Sequence, residues 1–123
     1  MPGTDLRSGL EDACRGMDAA AVVTCVGSLT RAVIRHANHD GGTPYEAGPF
    51  EIVSLTGTLG PDGPHLHMSI ADGEGVVRGG HVLPGCLIYT TAEVVVAGLE
   101  GLAFRRRRCP VTGFHELAVA RTD

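Results

Sequence analysis

The feature that most limits the fold is a series of short β-strand patterns that fills the chain from Phe50 onward. Each pattern is rich in β-branched or alternating apolar residues, and Gly, Pro or Asp stands at most of the junctions. This spacing predicts a largely antiparallel sheet. The predicted strands lie at residues 50–59, 65–70, 76–82, 86–88 (running into a Thr-rich patch), 93–96, 103–109 and 116–120.

The N-terminal segment predicts an amphipathic helix. Apolar residues recur at helical spacing from Leu6 to Met17, Thr4 or Asp5 can cap the first turn, and Gly16 lies near the end. The helix provides cover for the predicted sheet.

The next residues predict two further strands and a loop. Residues 19–26 and 31–36 are rich in small and β-branched side chains, and a short turn at 27–30 is expected to join them. Residues 38–49 lack apolar periodicity and predict an exposed, mobile loop. The whole pattern indicates an α+β fold: one domain, residues 1–123, with a central, mainly antiparallel β-sheet covered by few helices.

Composition restricts the class of protein. With 123 residues, 43% hydrophobic and 20% charged, the chain fits one compact domain. A net charge of −4 argues against a nucleic-acid binder that relies on a basic surface. The four cysteines are widely separated, which predicts reduced, mostly buried thiols. No signal peptide or membrane span is visible, so we expect a soluble, cytoplasmic protein.

Three histidines fall within one predicted hairpin. If the turn at residues 71–75 has three central residues, His65 lies opposite His81 and His67 lies opposite Gly79, where glycine leaves room for the imidazole. His65 and His67 point the same way because they are two residues apart on a strand. The three imidazoles predict a site for zinc or another divalent transition metal with one open position. The alternative is a polar strand face, since His-x-His is common by chance.

Glu93 is the candidate for a catalytic carboxylate near these histidines. Asp72 and Glu74 occupy the predicted turn and are expected to face solvent. The alternative for Glu93 is a solvated strand residue or a hydrogen-bond partner of the neighbouring threonines. We expect that alternative more than a catalytic role.

Four consecutive arginines stand on the predicted strand at residues 103–109, and on a strand they alternate between two faces. Three roles are open for them: ion pairing with the chain's acidic residues, across a subunit interface or within the chain; capture of a phosphate or carboxylate; and contact with a DNA backbone. The acidic net charge makes ion pairing the favoured role and DNA the least favoured. The run consists of Arg105, Arg106, Arg107 and Arg108.

An ordered series of motifs runs along almost the whole sequence. The motifs are Pro2-Gly3 with Asp5-Leu6, Val26-Gly27-Ser28-Leu29, residues 50–59, Gly63 with His65-Leu66-His67, Gly79-Gly80-His81, Thr91-Ala92-Glu93-Val94, and Thr112-Gly113-Phe114 with Glu116-Leu117. In this order, rather than by any single motif, the sequence resembles the PPC (plants and prokaryotes conserved) domain family.

The resemblance implies an α+β domain that assembles as a homotrimer. In similar prokaryotic proteins the Gly-x-His-x-His and Gly-Gly-His segments form the metal site, which corresponds here to His65, His67 and His81. Many such proteins carry a provisional DNA-binding description, by analogy with plant members that contact DNA mainly through a separate AT-hook. This chain has no Arg-Gly-Arg-Pro hook, so the DNA role transfers poorly.

Two features depart from the family pattern. Family members usually have a β-strand before the Pro-Gly turn, whereas this sequence starts at Met1-Pro2. We therefore expect either a missing edge strand or another segment that covers the edge. The arginine run is also longer than the one or two basic residues that are usual at this place.

Two functions remain open from the sequence. The first is a trimeric, metal-binding domain with a regulatory or DNA-associated role and no enzymatic activity. The second is a metal-dependent enzyme in which the three-histidine ion activates water or polarises a small-molecule substrate. An enzyme requires an open metal position in a cleft with a general base nearby, whereas a closed site favours the binding domain.

Overall fold

The computed structural model describes residues 1–122. Within them the chain forms one helix followed by eight strands, and every strand pairing is antiparallel. The elements are α1 Leu6–Ala13, β1 Ala20–Arg35, β2 Thr43–Tyr45, β3 Phe50–Leu59, β4 His65–Ala71, β5 Val77–Val82, β6 Leu87–Gly98, β7 Leu102–Arg108 and β8 His115–Arg121.

Four strands form a sheet that closes on itself. β1 pairs with β3, β3 with β4, β4 with β5, and β5 returns to the C-terminal end of β1. We call β1, β3, β4 and β5 the closed sheet; β2 and β6 add to the edges of β1. β7 and β8 form a separate two-stranded sheet, which we call the arginine hairpin. The prediction of one α+β domain with a mainly antiparallel sheet is thereby confirmed at the level of fold class.

The predicted turn at residues 27–30 is wrong, because β1 is a single strand of 16 residues. Gly27 lies so close to β6 that a Cβ would collide with the Thr91 carbonyl. Ser28 and Leu29 are buried and pair with β3, and the register with β6 shifts on both sides of Leu29. The glycine and serine therefore serve close packing and a bulge, which bends the strand without reversing it.

Two other boundaries differ from prediction. The predicted strands at 86–88 and 93–96 are one strand, β6, because the intervening threonines continue its pairing with β1. The loop at residues 38–49 contains β2, which pairs with β1 through Tyr45. Tyr45 packs against the core and anchors the loop from that side.

The core lies inside the closed sheet and is capped by α1. Leu29, Ile34, Met68 and Ile70 are almost completely buried there. On the helix, Leu6 and Leu10 face the core, while Oδ1 of the N-cap Asp5 accepts a hydrogen bond from the Ser8 amide at 2.9 Å. The N-cap prediction is thus confirmed for Asp5, and the helix ends earlier than Gly16.

The residues before the helix cover the start of β6. The Gly3 amide donates to the Ile88 carbonyl at 2.8 Å, and the Ile88 amide donates to the Thr4 carbonyl at 2.9 Å. A single bridge between Asp5 and Leu87 completes this short pairing. A segment of the chain therefore covers this edge of β6.

The cysteines are unpaired thiols, as the sequence predicts. Cys14, Cys25 and Cys86 are buried, and Cys109 is half-buried. Burial raises the pKa of the first three thiols, which keeps them protonated and unreactive at neutral pH. In the described part of the chain, no helix is long and apolar enough to cross a membrane.

Candidate metal centre

The three histidines come together on adjacent strands of the closed sheet. His65 and His67 lie on β4, and His81 lies on β5 directly opposite His67. The predicted register, with His65 opposite His81, is wrong by two residues. A slip of two leaves every side chain on the same face, so the histidines still converge.

Asp72 sets this register by widening the turn between β4 and β5. Its carboxylate Oδ1 accepts hydrogen bonds from the amides of Glu74 and Val76, both at 3.0 Å. Its amide donates to the Val76 carbonyl at 3.1 Å, so the last strand pair is Ala71 with Val77. The turn therefore holds five residues instead of three. Asp72 is half-buried and bonded to the turn, whereas Glu74 is exposed as predicted.

Gly79 and Gly80 allow the backbone of β5 to lie close to the backbones of its two neighbouring strands. Gly79 lies opposite Ser69, not opposite His67, and a Cβ there would approach the Met68 carbonyl to 2.7 Å. A Cβ on Gly80 would approach the Arg35 carbonyl to 2.5 Å. The two glycines let β5 fit between β4 and β1, which corrects the expectation that glycine makes room for an imidazole.

The imidazole rings form a compact group. The ring centroids of His67 and His81 are 4.4 Å apart, those of His65 and His81 are 4.9 Å apart, and those of His65 and His67 are 5.2 Å apart. One ligand nitrogen from each ring lies within 4.8 Å of the others. His65 and His67 are exposed and His81 is half-buried, so the group faces outward from the closed sheet.

The surroundings favour neutral imidazoles. Burial, followed by the charges of Arg35, His67 and His65, lowers the pKa of His81 to about 4. Burial also lowers the pKa of His65, followed in order by the charges of Arg106, His67 and Arg35. Neutral imidazole is the form that binds metal ions, so the site is prepared for a cation near neutral pH.

The donor set fits zinc and related ions. Imidazole nitrogens suit zinc, copper, iron and nickel, whereas Ca²⁺ and Mg²⁺ prefer oxygen. A Zn–N bond of about 2.05 Å puts tetrahedral ligand nitrogens about 3.3 Å apart. The corresponding nitrogens of the three histidines lie within 4.8 Å of one another. Three protein ligands leave one position for another group.

Two arginines flank the histidines. Arg35 was not among the predicted site residues, and Arg106 was predicted only as a member of the arginine run, without a place beside the histidines. Arg35 of β1 lies directly opposite His81 of β5, and His81 lies opposite His67 of β4. The three side chains therefore form a row on one face of the closed sheet. On the other side, Thr58 of β3 lies opposite His65 and its Oγ1 accepts a hydrogen bond from the Arg106 guanidinium at 3.0 Å. From the sequence, only the alternation of faces along β1 indicates on which face Arg35 lies. The strand that Arg35 pairs with, β5, begins more than forty residues later in the chain.

A cavity of about 770 Å³ opens beside this group. His65, His81, Arg35 and Arg106 line one wall, and the arginine hairpin contributes His115, Glu116 and aromatic and aliphatic side chains. His115 is exposed and lines this cavity together with His65 and His81.

The other loop histidines do not join the three-histidine group. His36 is half-buried, and its ring nitrogens lie 2.6 Å from the Tyr45 hydroxyl and 3.1 Å from the Gly79 carbonyl. It therefore ties β2 to β5 beside His81. His39 contacts the Ala37 carbonyl of its own loop at 2.9 Å.

Glu93 is not brought to the histidines. It lies on β6 opposite Val26 of β1 and is exposed, and it lines none of the cavities found around the three histidines in residues 1–122. β6 pairs with residues 20–31 of β1, whereas β5, the strand of His81, pairs with β1 at Ile34 and Arg35. Among residues 1–122, the acidic side chains that line the cavity of about 770 Å³ beside His65 and His81 are those of Asp40 and Glu116.

The four side chains of the arginine run lie in different surroundings. Arg105 lies 3.9 Å from the Asp18 carboxylate, and Arg106 points to the histidine side. Arg107 and Arg108 are exposed, and Arg108 donates to the Gly113 carbonyl at 3.4 Å within its own hairpin. The run does not form one surface patch.

Comparison with known proteins supports the fold. The model of the Plants and Prokaryotes Conserved (PCC) domain matches residues 1–100, a range that includes all three histidines. The bifunctional protein GlmU of Synechococcus sp. (strain JA-2-3B'a(2-13)) is 44% identical over 120 residues, which are 96% of this chain and 19% of GlmU. The chain thus spans a minor part of the curated relatives that it matches.

Three solved structures share the fold. A hypothetical protein from Salmonella enterica has a TM-score of 0.96 at 38% identity, covering 99% of this chain and 89% of its own. The metal-containing protein AF0104 from Archaeoglobus fulgidus has a TM-score of 0.79 at 28% identity, covering 96% and 88%. A protein from Bacteroides thetaiotaomicron, provisionally described as DNA-binding, has a TM-score of 0.80, covering 96% and 86%. Its 19% identity shows likeness of fold alone.

The family match covers the helix and every strand of the closed sheet, and it ends before the arginine hairpin. It agrees with the ordered motifs around Gly27, His65 and Gly79. The chain therefore belongs to the plants and prokaryotes conserved domain family, written PPC or PCC.

Proposed function

We propose that this protein is a metal-binding domain that holds zinc or another divalent transition metal through His65, His67 and His81. The observation that carries the proposal is the group of three imidazoles with ligand atoms within 4.8 Å of one another. The similar Archaeoglobus protein is metal-containing, which supports the same chemistry here. The role is that of a binding domain with a regulatory or DNA-associated function.

Metal analysis of the purified protein tests this proposal. We expect about one zinc per chain after loading and dialysis, and His65→Ala, His67→Ala and His81→Ala should each lose it. His39→Ala is the matched control. Within the described chain, the one side-chain hydrogen bond of His39 is to the Ala37 carbonyl of its own loop. Full metal content in the triple histidine variant would reject the site.

We further propose that three copies of the chain assemble into a trimer. Val26 and Val95 are exposed on neighbouring strands β1 and β6, and Phe114 and Val119 are exposed on the arginine hairpin. Exposed apolar side chains on paired strands are typical of surfaces that a partner covers. Light scattering should give the mass of a trimer.

Val26→Lys is expected to reduce that mass by placing a charge on the valine face. Val76→Lys is the control, because Val76 is exposed at the turn after β4, away from the pairing of β1 with β6. A monomer mass for the unaltered protein would exclude the trimer.

An enzyme is the second candidate, because His65 and His81 line an open cavity. A bound zinc ion would supply a Lewis acid at the open position. Glu116 is a general-base candidate, because it lines the same cavity as His65 and His81; its carboxylate accepts a hydrogen bond from the Thr112 hydroxyl at 2.7 Å. Zinc-dependent hydrolysis of simple esters or phosphate esters that is lost in both His81→Ala and Glu116→Gln would favour this candidate.

For DNA, the exposed guanidinium groups of Arg107 and Arg108 are the available contacts. A salt titration of binding to random duplex DNA tests them, since each phosphate contact steepens the salt dependence. Arg107→Gln should then weaken binding and flatten the slope. Absence of binding at low salt would remove the DNA-associated role and leave the metal site untouched.

A further inference from the structure

The arginines of this protein fall into two groups by their partners. Arg7, Arg15, Arg31, Arg78 and Arg105 each lie within ion-pair distance of an Asp or Glu. The other five have no such partner among residues 1–122; they are Arg35, Arg106, Arg107, Arg108 and Arg121. Of these, only Arg35 and Arg106 are half-buried, and both line the cavity beside the candidate metal centre. A guanidinium removed from water without a carboxylate is costly, so this placement needs an explanation.

Arg35 carries the clearest sign of a missing partner. Its Nε is buried and is the one buried side-chain nitrogen or oxygen in the described chain without a hydrogen-bond partner. The residue lies opposite His81, in the row that His67 continues on β4. An acceptor in the cavity beside this row would satisfy the guanidinium.

Arg106 is held in place on the opposite side. Its amide donates to the Asp62 carboxylate at 2.8 Å, and its guanidinium donates to Thr58 Oγ1 at 3.0 Å. These contacts fix the side chain next to His65 and leave further N–H groups unused. Arg106 and His65 line three of the cavities around the histidines, and Arg35 and His81 share two of these.

Charge points to the nature of the absent partner. A divalent ion at neutral imidazoles adds two positive charges beside two guanidinium groups. The acidic residues in the main cavity wall are Asp40 and Glu116, and neither lies within ion-pair distance of these arginines. An oxyanion would balance the site, accept hydrogen bonds from the guanidinium groups and take the open metal position.

We propose that Arg35 and Arg106 bind the oxyanion group of a small molecule, a carboxylate or a phosphate, against the open position of the three-histidine metal site. The inference rests on the proposed metal-binding function and names the class of its ligand. The arginines position the anion, and the histidines hold the metal that the anion contacts.

Calorimetric titration of the zinc-loaded protein with inorganic phosphate, and separately with acetate, tests the inference. We expect Arg106→Gln and Arg35→Lys each to weaken binding of the preferred anion by on the order of tenfold to a hundredfold. Arg107→Gln is the matched control, since Arg107 is the exposed next residue of the same strand, and it should bind as the unaltered protein does. All three variants should keep their zinc and their thermal unfolding temperature.

Cobalt-loaded protein gives an independent readout. Addition of the anion should change the visible absorption of cobalt in the unaltered protein and in Arg107→Gln, and the change should require higher anion concentrations in Arg106→Gln. If Arg106→Gln does not fold, Arg106→Lys, which keeps the charge and loses the planar donor pair, replaces it.

The outcomes separate the two proposals. The inference is overturned if the zinc-loaded protein binds neither anion at millimolar concentration. It is also overturned if Arg106→Gln and Arg35→Lys bind the anion as tightly as the unaltered protein does. Either result leaves metal binding intact. If the protein takes up no metal, the proposed function fails, and the anions are titrated into metal-free protein while the Arg35 and Arg106 Nε–H resonances are followed. Movement of both resonances then supports the oxyanion site, and their invariance overturns it.

Discussion

The closed sheet and the arginine hairpin show two ways of holding a β-structure in place. The closed sheet surrounds a core in which Leu29 and Ile34 are completely buried. The hairpin instead exposes Phe114 by 73% and Val119 by 56%. A two-stranded hairpin is marginally stable alone, so its position depends on what it contacts.

This difference divides the candidate site into two parts. The metal ligands and Arg35 belong to the closed sheet, whose strands brace one another. Arg106, His115 and Glu116 belong to the hairpin, which buries Ala103 and Phe104 and is joined to the body by hydrogen bonds such as that from the Phe104 amide to the Asp18 carbonyl at 2.9 Å. Strand pairing within the closed sheet therefore holds the metal ligands in place. The positions of Arg106, His115 and Glu116 depend instead on how the hairpin docks and on any partner that covers its apolar face.

The largest expected effect is loss of core packing in the closed sheet. Leu29→Ala should lower the free energy of unfolding by about 3 kcal/mol, because the deleted side chain leaves a cavity among β1, β3 and β6. Val119→Ala in the hairpin should cost less than about 1 kcal/mol. Denaturant unfolding at one fixed protein concentration measures both, and equal costs would break the comparison.

Gly80→Ala tests whether backbone approach holds β5 between its neighbours. We expect a loss of about 2–3 kcal/mol in unfolding free energy, because the added Cβ meets the Arg35 carbonyl. Zinc affinity should fall as well, since His81 is the next residue. Gly73→Ala, at an exposed turn position with open space for a Cβ, is the control. Unchanged zinc affinity in Gly80→Ala would show that the histidines tolerate movement of β5.

Asp62→Ala tests how the hairpin is docked. The Asp62 carboxylate accepts a hydrogen bond from the Arg106 amide, and its removal should cost about 1 kcal/mol. Amide hydrogen exchange should accelerate at Arg106 and its β7 neighbours and stay unchanged in β4 and β5. Glu100→Ala, at the turn before β7, is the control. Accelerated exchange throughout β4 would indicate that the two regions unfold together.

The smallest effect concerns the turn that sets the histidine register. Hydrogen bonds from the Val76 and Glu74 amides and the charge of Arg78 hold the pKa of Asp72 below its ordinary 3.8. Because the folded pKa is the lower one, the stabilisation is complete above about pH 3.8 and is lost as the pH falls through the folded value. The Glu74 and Val76 amide resonances should titrate with a midpoint below 3.8, and Asp72→Asn should abolish that titration. A midpoint at or above 3.8 would contradict the turn's role.

Much of the architecture could be predicted from the sequence, because strand periodicity and helix capping are local. The strands at 50–59 and 65–70, the Asp5 cap and the buried cysteines follow from neighbouring residues. The continuous β1 could not be predicted, since Gly27 and Ser28 are turn residues by composition. Their role depends on β6, which is about sixty residues away in the chain.

The three metal-ligand candidates were predicted despite a wrong register. Residues two apart share a strand face, so an error of two in the pairing changed the neighbours of each histidine and not its direction. Arg35 and Arg106 were missed as partners because they reach the site from β1 and β7, which no spacing rule connects to the hairpin.

The sequence by itself determined the α+β class, the set of strands and the common face of His65, His67 and His81, because these follow from periods of two and from local turn and cap chemistry. The tertiary structure decided the closure of β5 onto β1, the five-residue turn held by Asp72 and the placement of Arg35 and Arg106 beside the histidines. Those features depend on contacts between distant strands, whose geometry is fixed only when the backbones pack together.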